Sequence, residues 1–184
     1  MAIKKKKKKQ WYEVLATPGF NNLVIGESVA YEDKNLIGRI IYTNLGNLTR
    51  DMKLQNVRLK FKVNKVENNK AYTEVKGYGL AGSYVKRIVR VGRSRIDDSF
   101  LVTTKDGVKM RLKPLVLTKY KAQRNVLKEL RKLVQKEFTD YINKENYNRF
   151  VSDIVGKRLQ RDLKRKLNKI YPIGLVEIRV MDRV

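Results

Sequence analysis

Between residues 56 and 64 apolar and polar side chains alternate: Val57, Leu59, Phe61 and Val63 interleave with Arg58, Lys60, Lys62 and Asn64. A period of two predicts an antiparallel strand buried on one face, and here the other face is cationic. Glu67-Asn68-Asn69-Lys70 predicts the turn and Ala71–Tyr78 the returning strand. A second hairpin is predicted from Ser99–Thr104 through Lys105-Asp106-Gly107, where Asp-Gly favours a tight turn, into a strand alternating Val108, Met110, Leu112 with Lys109, Arg111, Lys113. Pro114 is expected to end regular pairing or to sit at an edge. Asn22–Gly26 and Leu36–Thr43 also predict strands. In the second of these Leu36, Ile40 and Tyr42 share one face, and Gly38 suggests a bulge or a close backbone approach. A final strand is predicted over Leu175–Asp182.

Helical spacing recurs in three places. Tyr84, Val85, Ile88 and Val89 fall at i, i+1, i+4 and i+5, which predicts a short helix bridging the two hairpins. Lys119–Asn143 predicts a helix whose core-facing stripe is Val126, Leu127, Leu130, Leu133, Val134, Phe138, Tyr141 and Ile142. A further helical stretch runs from Tyr147 to Ile170, broken near Asp153–Gly156, with Leu159, Leu163 and Leu167 every fourth residue and Tyr171-Pro172 as its stop. The fold class expected is therefore α+β: a mostly antiparallel, barrel-like sheet, a bridging helix, and C-terminal helices that return to a last strand. No repeat and no linker is evident, so residues 11–184 are expected to form a single domain behind a disordered polybasic arm over residues 1–10.

Charge changes the picture. The 184 residues hold 43 Lys plus Arg against 18 Asp plus Glu, a net charge of +25 spread along the whole chain. A compact body so charged repels itself and gains most from a polyanion, of which nucleic acid is the obvious one. The candidate contacts are the Lys4, Lys5, Lys6, Lys7, Lys8, Lys9 run, Arg39, the strand faces Arg58, Lys60, Lys62 and Lys109, Arg111, Lys113, and the bridge cations Lys86, Arg87, Arg90, Arg93 and Arg95. Lys157, Arg158, Arg161, Lys164 and Arg165 extend the set into a segment, Lys157–Lys169, with seven cations and one acid. Phosphate contacts of this kind supply salt-dependent affinity and read no sequence. Trp11, directly before Tyr12 and after the lysine run, suggests either an anchor on the core or a stacking site for a base, with anchoring the favoured reading.

Other chemistry is excluded or weak. With no Cys and no His there is no disulfide, no Cys or His zinc site, and no thiol or imidazole catalysis. Asp97-Asp98, with Asp106 nearby, is the best candidate for a metal-dependent nuclease, but adjacent acids on a strand point to opposite faces. No phosphate loop is present, and Gly77, Gly79 and Gly82 are wrongly spaced for a dinucleotide fingerprint. No apolar region follows Lys9, so no signal peptide is expected, and no apolar run reaches the ~20 residues of a membrane span. No cofactor, no metal, no membrane and no homo-oligomer is expected. Besides an integral ribonucleoprotein component, a free RNA chaperone or translation factor fits the same charge.

Specific residues narrow the choice. Trp11-Tyr12-Glu13-Val14 with Ala16, Pro18 and Phe20, then Gly26, Leu36-Ile37-Gly38-Arg39, Leu45-Gly46-Asn47-Leu48 and Lys60-Phe61-Lys62, occur in that order. Thr103-Thr104-Lys105-Asp106-Gly107, Arg111-Leu112 and Ile170-Tyr171-Pro172-Ile173 complete the series. In these the chain resembles the archaeal and eukaryotic small-subunit ribosomal protein family traditionally called S-three-a, or eukaryotic-type S-one, which is distinct from bacterial S-one. It departs from the family in lacking a Leu-Thr-Arg-Asp form before the bridge, where it has Tyr78-Gly79-Leu80-Ala81-Gly82-Ser83. Its compact length resembles archaeal members. The resemblance implies a structural, non-enzymatic rRNA-binding protein of the cytoplasmic small ribosomal subunit. It also implies a place on the platform near the mRNA exit, with platform ribosomal proteins and mRNA as neighbours.

Overall fold

A computed structural model describes residues 8–184. The chain divides into two compact units that meet in sequence at Lys76/Gly77. Among the described residues, nine strands and five α-helices make an α+β fold, and the hydrogen-bonded strand order does not return on itself, so the sheet is not closed.

The first unit contains β1 (Gln10–Leu15), β2 (Val24–Ala30), β3 (Ile40–Asn44), α1 (Leu45–Thr49), β4 (Val57–Glu67) and the start of β5 (Lys70–Leu80). β1 pairs antiparallel with β2, and β3 with β4, while β1 runs parallel to β5 at Glu13 opposite Lys70. The alternation in β4 is realised as expected: Val57, Leu59, Phe61 and Val63 are buried. Asn68 and Asn69 both adopt positive φ, 49° and 60°, which the two-residue turn between β4 and β5 demands and asparagine tolerates.

Two expectations for this unit change. β1 falls where no strand was expected, because its register buries Tyr12 and Val14 and turns Trp11 outward. Tyr12 is therefore the anchor. Its hydroxyl donates to Asp33 Oδ1 at 2.7 Å, and that bond, with burial and the neighbouring negative charge, raises its pKa. The strand expected from Leu36 begins only at Ile40. Residues 33–35 form a 3-10 turn and Gly38 takes φ +87°, which breaks the alternation. Leu36 drops into the core with Tyr12, Val14, Ala30, Val63 and Ala71, while Ile40 and Tyr42 face outward. A Cβ on Gly38 would meet nothing within 4 Å, so backbone conformation rather than crowding calls for glycine.

The second unit holds the end of β5, α2 (Gly82–Ile88), β6 (Arg95–Asp97), β7 (Phe100–Thr103), β8 (Lys109–Thr118), α3 (Arg124–Lys144), α4 (Tyr147–Val155), α5 (Arg158–Leu167) and β9 (Ile173–Arg183). β8 pairs with β9 along its length and also with β6 and β7. Pro114 lies inside β8, not at its end. The register with β9 shifts between Lys113 and Pro114. On the other side pairing with β7 ends at Leu112 and pairing with β6 begins at Leu115, so Pro114 falls where regular pairing is interrupted, as expected, and its missing N–H costs no ladder bond on that side.

α3 begins at Arg124 rather than Lys119, because Lys119 N–H donates to the Pro172 carbonyl at 2.9 Å and Ala122 N–H to Ser94 Oγ at 3.0 Å. Of the expected stripe, Leu130, Val134, Phe138 and Ile142 are buried, while Val126, Leu127, Leu133 and Tyr141 flank them partly buried. The expected break in the second helical stretch is a left-handed Lys157, φ 55°, between α4 and α5. Asp106 does more than turn the hairpin. Its Oδ2 accepts from Tyr147 N–H at 2.9 Å, covering one free donor of the α4 N-terminus.

Candidate nucleic-acid interface

The cations named from sequence fall into groups that differ in what holds them. Lys4–Lys7 lie outside the described residues. Lys8 and Lys9 are exposed, and Lys9 Nζ lies 5.5 Å from the Tyr31 ring centroid. Trp11 is 66% exposed on β1 and opposite Val29. Its ring is therefore presented, not used as an anchor.

On β4, Arg58 and Lys62 are exposed and Lys60 is partly buried, all on the face opposite the core. Across the pair with β3, Arg58 stands opposite Asn44, Lys60 opposite Tyr42 and Lys62 opposite Ile40. Arg39, just before β3, is spent locally: its Nη1 donates to Ser28 Oγ at 2.6 Å and to the Val29 carbonyl at 3.2 Å. On β8, Lys109 and Arg111 are exposed and Lys113 is partly buried, with Thr103 opposite Lys109 and an exposed Leu101 opposite Arg111.

The bridge forms as its spacing predicts. Tyr84, Val85, Ile88 and Val89 are all partly buried, whereas Lys86, Arg87, Arg90, Arg93 and Arg95 are exposed. α2 itself ends at Ile88, so Arg90 and Arg93 lie on the loop that follows. Arg87 stacks over Tyr84 at 5.5 Å, which fixes the guanidinium plane without neutralising it. The loop is fastened at Ser94. Its N–H donates to the buried Thr118 Oγ1 at 2.8 Å, and its carbonyl accepts from Thr118 N–H at 3.0 Å. Cations on an ordered loop give up less entropy on meeting phosphate than cations on a floppy one.

The α5 region is different. Leu159, Leu163 and Leu167 are buried, and its cations are largely engaged within the protein. Lys157 Nζ lies 2.8 Å from Glu177 Oε1, and Lys164 Nζ donates to the Gly174 carbonyl at 2.8 Å. Arg161 donates to the carbonyls of Lys157 and Gly156, both at 3.2 Å. Arg165 faces Asp162 at 3.7 Å and Arg158 faces Asp153 at 3.9 Å. Both of these arginines keep most of their side chains in solvent, so they remain available to a polyanion. Repulsion along this helix is relieved in part inside the protein: Lys166 also pairs with Glu137, and Lys164, Arg165 and Lys166 complement the negative end of the helix dipole.

Asp97 points at Arg179 with an Oδ1–Nη2 separation of 3.0 Å, yet that oxygen and Arg179 Nε are buried without a well-aligned hydrogen bond. Asp98 lies 3.5 Å from Arg131. Both acids thus face cations, and among the described residues no group of three or more carboxylates is placed to hold a metal ion. No helix among the described residues is long and apolar enough to cross a membrane.

Residues 2–183, nearly the whole chain, match the Ribosomal S3Ae family. The chain belongs to that family. The small ribosomal subunit protein eS1 of Methanothrix thermoacetophila is 35% identical over 173 residues, 94% of this chain and 82% of the relative. The protein of the same name from Sulfurisphaera tokodaii is 36% identical over 178 residues, 96% of this chain and 92% of the relative. That from Staphylothermus marinus is 35% identical over 172 residues, 94% and 81%. Membership of the S3Ae family agrees with the resemblance read from the Trp-Tyr opening and the Thr-Thr-Lys-Asp-Gly hairpin. In this S3Ae-family chain the first motif places Trp11 at the surface, and the second becomes the turn that caps α4.

One surface aromatic is not foreseen from sequence. Tyr42, expected to share a face with Leu36, is 64% exposed and lies among the β4 cations. Its partner across the strand, Lys60, is the one available signal, but the register of β3 cannot be read without the turn at Gly38.

Proposed function

We infer that this chain is a structural constituent of the small ribosomal subunit in the cytoplasm, not an enzyme, and that it binds folded rRNA. Membership of the S3Ae family carries the reading. The net charge of +25 supports it, because phosphate neutralisation converts a self-repelling protein into a stable ribonucleoprotein component. Each unit contributes cations to rRNA binding. Arg58 and Lys62 on β4, Arg90 and Arg93 on the bridge loop, Arg95 at the start of β6, and Lys109 and Arg111 on β8 are the cations best presented to phosphate. Lys157 and Lys164 serve the fold first, since each ammonium already has a partner, whereas Arg39, bonded through Nη1, stays exposed. The protein occupies the platform near the mRNA exit, beside other platform proteins and the path of mRNA.

The test is co-sedimentation with small subunits. An integral component stays with them through a wash from about 50 mM to about 200 mM salt, whereas a visiting chaperone or translation factor is released. Reversing Arg90 and Arg93 to Glu is expected to weaken assembly while the circular dichroism spectrum of the free protein is unchanged. Normal co-sedimentation of that variant defeats the role given to the bridge.

A further inference from the structure

The outer face of the β3–β4 pair carries more than charge. Residues directly opposite one another in an antiparallel pair project to the same side. Ile40, Tyr42 and Asn44 therefore stand with Lys62, Lys60 and Arg58. Asn44 is occupied in the α1 cap: its side chain accepts from Gly46 N–H at 2.9 Å and donates to the Gln55 carbonyl at 2.8 Å. What this leaves is a ring 64% exposed at the middle of β3, with a cation directly across, a cation on either diagonal, and Ile40 at one end, 36% exposed. None of these six paired positions is acidic. Because Tyr42 lies within a hydrogen-bonded strand, its backbone is fixed before any ligand arrives.

Duplex RNA is met through its phosphates and 2′-hydroxyls, and its bases are already stacked on one another. Arg58 and Lys62 can meet the phosphates of such a duplex without the ring. A single strand offers unstacked π-faces between its phosphates, which is what a ring flanked by cations fits. We propose that the β3–β4 face binds single-stranded RNA, with one base stacked on Tyr42 and the adjacent phosphates held by Arg58 and Lys62. The inference rests on the chain being an RNA-binding protein and says which form of RNA this face takes. An acidic protein segment would meet the same cations, and the experiment separates it from RNA.

The full chain is titrated with a fluorescently labelled, unstructured ten-nucleotide RNA and with a duplex of the same sequence, over a series of salt concentrations. Tyr42→Ala is expected to weaken single-strand binding about tenfold, with the salt slope unchanged and duplex binding unaffected. Tyr42→Phe keeps the ring and is expected to bind as the parent does. Lys62→Ala is expected to make the salt slope shallower by about one for either RNA. If Tyr42→Ala binds the single strand as tightly as the parent, or weakens single strand and duplex alike, the stacking assignment is overturned. Single-strand affinity unchanged while an acidic peptide loses affinity for Tyr42→Ala overturns it in favour of a protein partner. Normal incorporation of Tyr42→Ala into small subunits leaves the ribosomal role standing whatever the oligonucleotide result, so the two readings fail separately.

Discussion

Lys157 Nζ lies 2.8 Å from Oε1 of Glu177, and the Glu177 side chain is only 4% exposed. The lysine comes from the left-handed junction of α4 and α5, and the glutamate from the middle of β9. Glu177 Oε2 has no hydrogen-bond partner, so the contact with Lys157 is what compensates this carboxylate. Removing one partner of a buried pair strands the other, whereas replacing both is often tolerated. Lys157→Met is expected to cost about 2 kcal/mol, below the usual loss for a fully buried pair because the lysine side chain is 37% exposed. Adding Glu177→Leu should recover most of that loss. Urea midpoints of the single and double variants check this. The same Lys157→Met should leave the salt slope of RNA binding where it was, since its charge is engaged within the fold.

The bridge loop depends on Thr118. Its buried hydroxyl accepts from Ser94 N–H at 2.8 Å and lies 2.5 Å from the Tyr120 carbonyl, to which it donates. Thr118→Val fills the same space but leaves the partly buried Ser94 N–H and the Tyr120 carbonyl without this partner, for which about 1 kcal/mol is expected. Amide exchange at Ser94 should accelerate more than exchange in β8, and RNA affinity should fall because the loop cations must then be ordered on binding. Thr118→Ser, which retains the oxygen, is expected to lose far less in all three measurements.

The parts of the fold that were legible in sequence are those in which a local period reports burial directly. β4 is the clearest, since a two-residue alternation leaves only one register that buries Val57, Leu59, Phe61 and Val63. The α3 stripe and the break before α5 were legible for the same reason, helical spacing in one case and its interruption in the other. Leu36 misled because a single glycine at φ +87° resets the alternation, and nothing local distinguishes that glycine from one in a bulge. Pro114 was legible in part: it interrupts pairing on the β6 and β7 side, but that β9 pairs through it by a register shift depends on residues more than sixty positions later. For the interface, composition located the cations but not their commitments. Whether Arg39 or Lys164 also bonds within the fold is decided by Val29 and Gly174, each a backbone carbonyl with no sequence signature.

Asp106 joins the second hairpin to α4. Its carboxylate accepts from Tyr147 N–H at 2.9 Å, while Lys105 N–H donates to the Glu145 carbonyl at 3.2 Å beside it. Asp106→Ala should lower stability by about 1 kcal/mol, the ordinary loss of a helix N-cap. Asp106→Asn, which keeps an acceptor oxygen and tolerates the turn, should lose only a fraction of that. Thermal melts of the two variants give the comparison, and equal losses would mean that the carboxylate charge rather than the cap is at work.

Tyr141 supplies a pH dependence. Its hydroxyl donates to Asp153 Oδ2 at 2.5 Å, linking α3 to α4. Burial, the Asp153 bond and the Asp153 and Glu145 charges push its pKa up from the ordinary 10.0, against a smaller opposing effect of Arg149. A tyrosine whose folded pKa is raised holds its proton after the unfolded chain has lost it. Above the unfolded value the unfolded state binds fewer protons than the native state, so stability falls as pH rises. The contribution is fully present below about pH 10 and is lost progressively above it. Tyr141→Phe removes both the bond and this linkage. At about pH 8 the variant should be less stable by about 1 kcal/mol, the net worth of the hydrogen bond. By about pH 11 the gap should have narrowed, because only the parent loses stability through this group. Tyr78, whose pKa is also raised by burial, is present in both proteins and cancels in the comparison. A gap that stays constant across urea titrations in this range would show that Tyr141 ionises alike in the folded and unfolded chain.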